Sequence, residues 1–204
     1  MSQLFFYKGN SMEENVKLAL AGKSVSFDEF LNNAENKVEN TWTGDQDLLD
    51  YTKLNIQRMK RIIKTYTPSA EILDAMKRIR DKQTWMVITE DWCGDSAQNL
   101  PFISKIADLN GSVSLRIIER DRNLDIMDMY LTSGARSIPK LIAFDKEGNE
   151  LFQWGARPAS AAELMKNMRE QGLKKEEMIE KLHFWYAKNK GADLEKEFIT
   201  LLSK

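Results

Sequence analysis

The sequence predicts an α/β fold: a four-stranded mixed sheet flanked by helices, with a helical extension before it and a helical tail after it. Three observations predict this. Between Trp85 and Gly172 short apolar runs alternate with helical patterns in the order β-α-β-α-β-β-α. Strand–helix–strand units imply parallel pairing with right-handed crossovers, and the short turn between the last two strands implies an antiparallel hairpin. On either side of that stretch apolar residues recur every three to four positions, which is the helical spacing.

The first 80 or so residues read as helices. Ser11 and Glu14 form a capping-box pattern ahead of Val16-Lys17-Leu18-Ala19-Leu20, and Gly22 can end that helix. Ser26 and Glu29 repeat the pattern before Phe27, Phe30, Leu31, Ala34 and Val38. After a break at Thr43-Gly44-Asp45, Leu48, Thr52, Ile56, Met59 and Ile63 mark an amphipathic helix from Asp47 to about Lys64. Thr67-Pro68 offers an N-cap with proline at the first helical position, opening a helix through Ile72, Leu73, Met76 and Ile79.

Strands follow at 85–89, 113–118, 140–144 and 150–154, with Asp145-Lys146-Glu147-Gly148-Asn149 as the hairpin turn. Helices are expected from about Asp95 to Asp108, through Ile126, Met129, Tyr130 and Leu131, and from a Ser160/Glu163 cap to near Gly172. From Lys174 the chain is helical again. Met178, Leu182, Trp185 and Tyr186 form one stripe, Gly191 interrupts, and Leu194, Phe198, Leu201 and Leu202 form a second. The expected organisation is an extension over 1–83, a core over 84–172 and a tail over 173–204.

Composition narrows the function. The 204 residues include 30 basic and 31 acidic side chains, for a net charge of −1. That balance points to no nucleic-acid partner, and the absence of a Lys/Arg block points to no membrane surface. The start, Met1–Lys8, is too short for a signal h-region and its basic residue follows the apolar stretch. A single Cys permits no internal disulfide, which suits a reducing compartment, with the cytoplasm as the expected location. One Cys and one His cannot build a Cys/His zinc site from this chain alone, and no metal is expected.

The one cysteine lies in Trp92-Cys93-Gly94-Asp95-Ser96, between an apolar strand and a helix that carries Pro101. Helix N-terminal N–H groups and the helix dipole stabilise a thiolate there, so Cys93 is expected exposed in the first turn, with a lowered pKa. Glu90, Asp91 and Asp95 oppose that by like-charge repulsion. Cys93 is either a reactive thiol or an inert one. Ser96, one turn on, is placed to donate a hydrogen bond to the thiolate or simply to supply polar chemistry at the helix start, but it cannot resolve a mixed disulfide.

With Pro101, Gly134-Ala135-Arg136-Ser137-Ile138-Pro139-Lys140-Leu141 and Gly155, the Trp92–Ser96 motif resembles the thioredoxin family over about residues 84–172. The chain looks most like bacterial thioredoxin-like proteins with a helical N-terminal extension. The resemblance implies a thioredoxin-like three-layer fold, a cis-proline at Pro139, catalytic Cys93 and Ser96, and a substrate groove made by Trp92, Gly94, Asp95, Ile138, Pro139 and Gly155. Two departures stand out: Ser96 replaces the family's second cysteine, and Val87 stands where thioredoxins carry a buried acid.

Three functions compete. In the first, Cys93 performs monothiol exchange with a protein or small-molecule disulfide in cell redox homeostasis. It needs no resident cofactor, and glutathione or another low-molecular-weight thiol serves as co-substrate. In the second, the groove binds a protein or peptide without turnover. In the third, Cys93 pairs with His183 as a nucleophile. Arg136 and Lys140 flank the proline loop, either as carboxylate ligands or as solvated charges. Trp42, Trp85, Trp154 and Trp185 are expected to pack rather than to line the site.

Overall fold

The computed structural model describes residues 10–40 and 44–203. Met1–Lys8, Trp42 and Thr43, on which parts of the sequence reading fall, lie outside the described residues. The chain begins with helices α1 (Asn10–Gly22), α2 (Phe27–Glu39), α3 (Gln46–Thr65) and α4 (Ala70–Met76). Strand β1 (Gln83–Thr89), helix α5 (Gly94–Ala107), strand β2 (Val113–Glu119) and the short helix α6 (Leu124–Met127) follow. Strands β3 (Lys140–Phe144) and β4 (Glu150–Gly155) form the hairpin, and helices α7 (Ala159–Glu170), α8 (Lys175–Asn189) and α9 (Ala192–Leu201) complete the fold.

The sheet order is β2-β1-β3-β4, with β1 parallel to β2 and antiparallel to β3, and β3 antiparallel to β4. This is the mixed four-stranded sheet that the sequence predicts. The central strands β1 and β3 are apolar on both faces because both faces are covered. Trp85, Val87, Leu141 and Ala143 pack into one cluster, which takes in residues of α2, α3, α4, α5 and α9. Met86, Ile88, Ile142 and Phe144 pack into another, with Val16 and Ala19 of α1 and Ile126 and Met127 of α6. Helices, sheet and helices therefore form three layers.

Local chemistry explains the element ends, and in places moves them. The Ser26 cap is a full capping box: its hydroxyl accepts from Glu29 N–H at 3.2 Å and the Glu29 carboxylate accepts from Ser26 N–H at 2.8 Å. Helix α1 starts at Asn10, so Ser11 lies inside it and not at its cap. Helix α4 is capped by Ser69, which accepts from Ile72 N–H at 3.3 Å, so the start expected at Thr67-Pro68 falls two residues early. The helix expected through Leu131 closes at Met127. Met129 and Tyr130 bond to carbonyls three residues back, which tightens the chain into the Thr132–Ala135 turn. Helix α7 begins after Pro158, and the Ser160 hydroxyl donates to Asp193 at 2.6 Å instead of capping.

The buried face of α3 shares Thr52, Ile56 and Met59 with the predicted stripe and is wider than it. It consists of Leu49, Thr52, Asn55, Ile56, Met59 and Ile62, while Leu48 and Ile63 are half-buried. Part of this face is polar. Thr52 Oγ1 donates to Asp91 Oδ1 at 3.1 Å, and Asn55 Nδ2 donates to the Asp91 carbonyl at 2.9 Å. Two buried polar side chains thus face the sheet domain in order to hold the end of the β1–α5 connection.

Candidate functional site

Cys93 occupies the N-cap of α5 in extended backbone conformation (φ −77°, ψ 119°) and makes no side-chain cap. Its Sγ donates a hydrogen bond to the Ile138 carbonyl at 3.4 Å. The Ile138–Pro139 peptide is cis, and Ile138 and Pro139 are both buried. Trp92 packs half-buried beside the sulfur's cluster, with the Arg120 guanidinium over its ring at 5.1 Å.

Cys93 is only 9% exposed, which corrects the expectation of an exposed thiol. Burial raises its pKa above the ordinary 9.0, and the Asp95 charge adds to that. The Ser96 hydroxyl and the N–H groups of Ser96 and Asp95 pull the other way, and burial prevails over the helix terminus. The resting sulfur is a protonated donor, consistent with its bond to Ile138 O. Ser96 is buried too, and its hydroxyl is paired with that of Thr89 at the end of β1.

The three acids around the motif have separate tasks. Asp91 is tied to the N-terminal helices, accepting from Lys37 at 2.8 Å as well as from Thr52. Glu90 accepts from Asp121 N–H at 2.7 Å, and burial pushes its pKa up to about 7. Asp95 turns toward the tail: one oxygen meets the Arg157 guanidinium and the other accepts from the Tyr186 hydroxyl at 2.6 Å. Burial raises its carboxyl above the usual range, against the pull of Arg157 and Tyr186. Asn99 closes this network, donating to Tyr186 Oη at 3.0 Å and to the Asp95 carbonyl at 2.8 Å.

Gly94 is small because α8 lies on it. A Cβ there would stand 3.2 Å from His183 Cε1 and 3.8 Å from Arg58 Nη1. His183 Nδ1 lies 3.5 Å from Gln98 Nε2. Burial, then the charge on Arg58, lowers its pKa to about 4, so the imidazole is neutral near pH 7. Among the described residues no hydrogen bond joins His183 to Cys93. The sulfur is engaged by Ile138 on the sheet side, and the Cys–His nucleophile arrangement is not formed.

Gly155 has φ +126°, and a Cβ there would overlap the Pro139 carbonyl oxygen, so only glycine fits between β4 and the proline loop. Arg136 is bound by both oxygens of Asp128, at 2.6 and 2.8 Å, and Lys140 is buried, which lowers its pKa. Neither is a free carboxylate ligand. Trp85 and Trp154 are buried in the core, and Trp185 is partly buried against the small cluster of α7 and α8. The structure thus brings Trp92, Cys93, Ile138 and Pro139 together, with Ser96 beneath, Gly155 behind the proline loop, and Gly94 and Asp95 under α8. Sequence reasoning missed Arg157, Asn99, Arg58 and Arg120 as neighbours of the motif. Asn99 lies one turn beyond Asp95 on α5, whereas Arg157, Arg58 and Arg120 reach the site through tertiary packing, which no local signal marks.

The chain resembles known folds over nearly its whole length. A protein of unknown function from Pseudomonas aeruginosa superposes with a TM-score of 0.59 at 16% identity, covering 97% of this chain and 98% of that one. An HIV epitope-scaffold superposes with a TM-score of 0.58 at 17% identity, with the same coverage. At these identities the likeness concerns the fold alone. No curated protein matches the chain. No helix among the described residues is long and apolar enough to cross a membrane. The thioredoxin family matches residues 41–169, a span that takes in α3 and α4 as well as the core that the motifs suggested. The chain therefore belongs to the thioredoxin family.

Proposed function

We propose that this protein performs monothiol thiol–disulfide exchange at Cys93, in a reducing compartment such as the cytoplasm. The observation that supports this reading is the placement of the sulfur: at the N-cap of α5, 3.4 Å from the carbonyl that precedes Pro139. In the step itself the Cys93 thiol loses its proton to solvent and the thiolate attacks one sulfur of a protein or small-molecule disulfide. The Cys93–sulfur bond forms, the original S–S bond breaks, and the second sulfur leaves as a thiolate. With Ser96 in the second position, release requires an external thiol of low molecular weight, such as glutathione. That thiolate attacks the substrate sulfur of the mixed disulfide, a new disulfide forms between the external thiol and the substrate, and Cys93 leaves as a thiolate and is reprotonated. Trp92, Ile138 and Pro139 supply the groove beside the sulfur.

A second reading is a redox-inactive binding module for a protein or peptide. It is favoured by the burial of Cys93 and by the upward push on its pKa. Exposure of the native protein to oxidised glutathione, followed by intact-mass measurement, separates the two. Monothiol exchange gives one adduct, absent in Cys93→Ser and removed by excess thiol. If the native protein forms no adduct while the denatured chain does, the binding module stands instead.

A further inference from the structure

A groove of about 520 Å³ opens between α3, α5 and the end of α8. Arg61 and Thr65 line it from α3, Gln98 from α5, and Tyr186 and Lys190 from α8 and its cap. Arg58 stands one turn before Arg61, half-buried, with its Nη1 donating to Asn55 at 3.0 Å. The charges here are one-sided. Among the described residues Arg58, Arg61 and Lys190 form no ion pair with a carboxylate. The acids that touch groove residues are already held: Asp95 by Arg157 and Tyr186, and Glu195 by the Tyr66 hydroxyl and by Ser69 N–H at 3.2 Å. Burial and the nearby Arg61 charge both push the Arg58 pKa down, as expected where cations lack a counter-charge.

Gln98 is a second, independent observation. Its side chain is buried, with 4% exposure, yet among the described residues its one hydrogen bond is the 3.5 Å contact to His183. A buried amide carries two donors and an acceptor that ordinarily find partners. Gln98 itself lines the groove.

We propose that this groove binds a small anion, whose carboxylate or phosphate group is held by Arg61 and Lys190 at the rim and by the Gln98 amide at the floor. Guanidinium suits both groups because its forked N–H donors match two oxygens at once. The volume is that of a small-molecule site. The site does not use Cys93 and stands independently of the exchange chemistry proposed above, although Gln98 lies little more than one helical turn beyond Cys93 on α5.

Isothermal titration with inorganic phosphate and, separately, with succinate, at an ionic strength fixed with sodium chloride, tests it. Saturable binding of either or both is expected, and which one saturates identifies the group. Arg61→Gln and Lys190→Gln, both at exposed positions, should each weaken that binding by about tenfold. Cys93→Ser should leave it unchanged, which separates this site from the exchange reaction. Absence of saturation by both anions, or binding that neither substitution weakens, overturns the proposal.

Discussion

The Tyr186 hydroxyl donates to Asp95 Oδ1 at 2.6 Å, fastening α8 to the second residue after the lone cysteine. With Arg157 on the other carboxylate oxygen and Asn99 donating to Tyr186, this bond closes the tail over the helix start. Tyr186→Phe removes the hydroxyl from both partners. Stability should fall by about 1–3 kcal/mol, the cost of a buried bond to a charged group. With α8 held less firmly, alkylation of Cys93 should also quicken. Denaturant melts and alkylation kinetics check both, and unchanged kinetics with lowered stability would mean that α8 does not limit access.

Glu90 gives a pH signature. Its pKa rises from the ordinary 4.5 to about 7, first through burial, with the Asp121 N–H opposing and the Asp121, Glu119 and Asp91 charges adding. Between those values the unfolded chain has lost the proton that the folded chain keeps. Unfolding therefore releases a proton, and this group's contribution to stability falls as pH rises through the window. Glu90→Gln keeps the acceptor for Asp121 N–H and removes the charge. It should raise stability by about 1–3 kcal/mol above neutrality and by almost nothing near pH 4. His183 acts in the opposite sense. With its pKa lowered to about 4 it stays neutral in the fold, so its contribution grows as pH rises from about 4 to the ordinary 6.5. Thermal melts of the wild type and Glu90→Gln at both pH extremes make the check, and an equal shift at the two would refute the assignment.

Gly155→Ala should destabilise by about 2–5 kcal/mol, because the new methyl meets the Pro139 carbonyl in a backbone conformation that only glycine tolerates. Gly111→Ala, where nothing lies within 4 Å of the added carbon, should be nearly neutral. Urea midpoints of the pair test this. Comparable losses at both positions would show that the proline loop gives way.

Wild-type protein should not turn over insulin disulfides with a thioredoxin reductase, since Ser96 cannot release a mixed disulfide. Ser96→Cys should gain partial activity at the cost of the buried pairing with Thr89. Val87→Asp should add to it, provided the core accepts an acid at a fully buried position. Strong turnover by the wild type would contradict the monothiol assignment.

The sheet was legible in the sequence because β1 and β3 are continuous apolar runs and the 145–149 segment is dense in turn residues. The capping box at Ser26 was legible for the same local reason. The α3 face was legible through Thr52, Ile56 and Met59 but is wider than the pattern, because Asn55 counts as polar yet is buried on Asp91. The core of the site, Trp92, Cys93, Ile138 and Pro139, follows from the motif and its proline loop. Its surroundings do not: Arg157 and Tyr186 reach Asp95 from 62 and 91 residues away, and no periodicity reports such a contact. The burial of Cys93 was misread for a related reason. Placement at a helix terminus is a local property, whereas desolvation depends on everything packed around it.

The most direct measurement is the pH dependence of Cys93 alkylation by iodoacetamide in the native protein, with Cys93→Ser as blank and the denatured chain as reference. Burial and Asp95 place the native midpoint above the ordinary 9.0, with a rate near neutrality below that of the denatured chain and climbing into the alkaline range. A native midpoint at or below that of the denatured chain, with rapid alkylation at neutral pH, would contradict the buried, protonated thiol at the centre of this site.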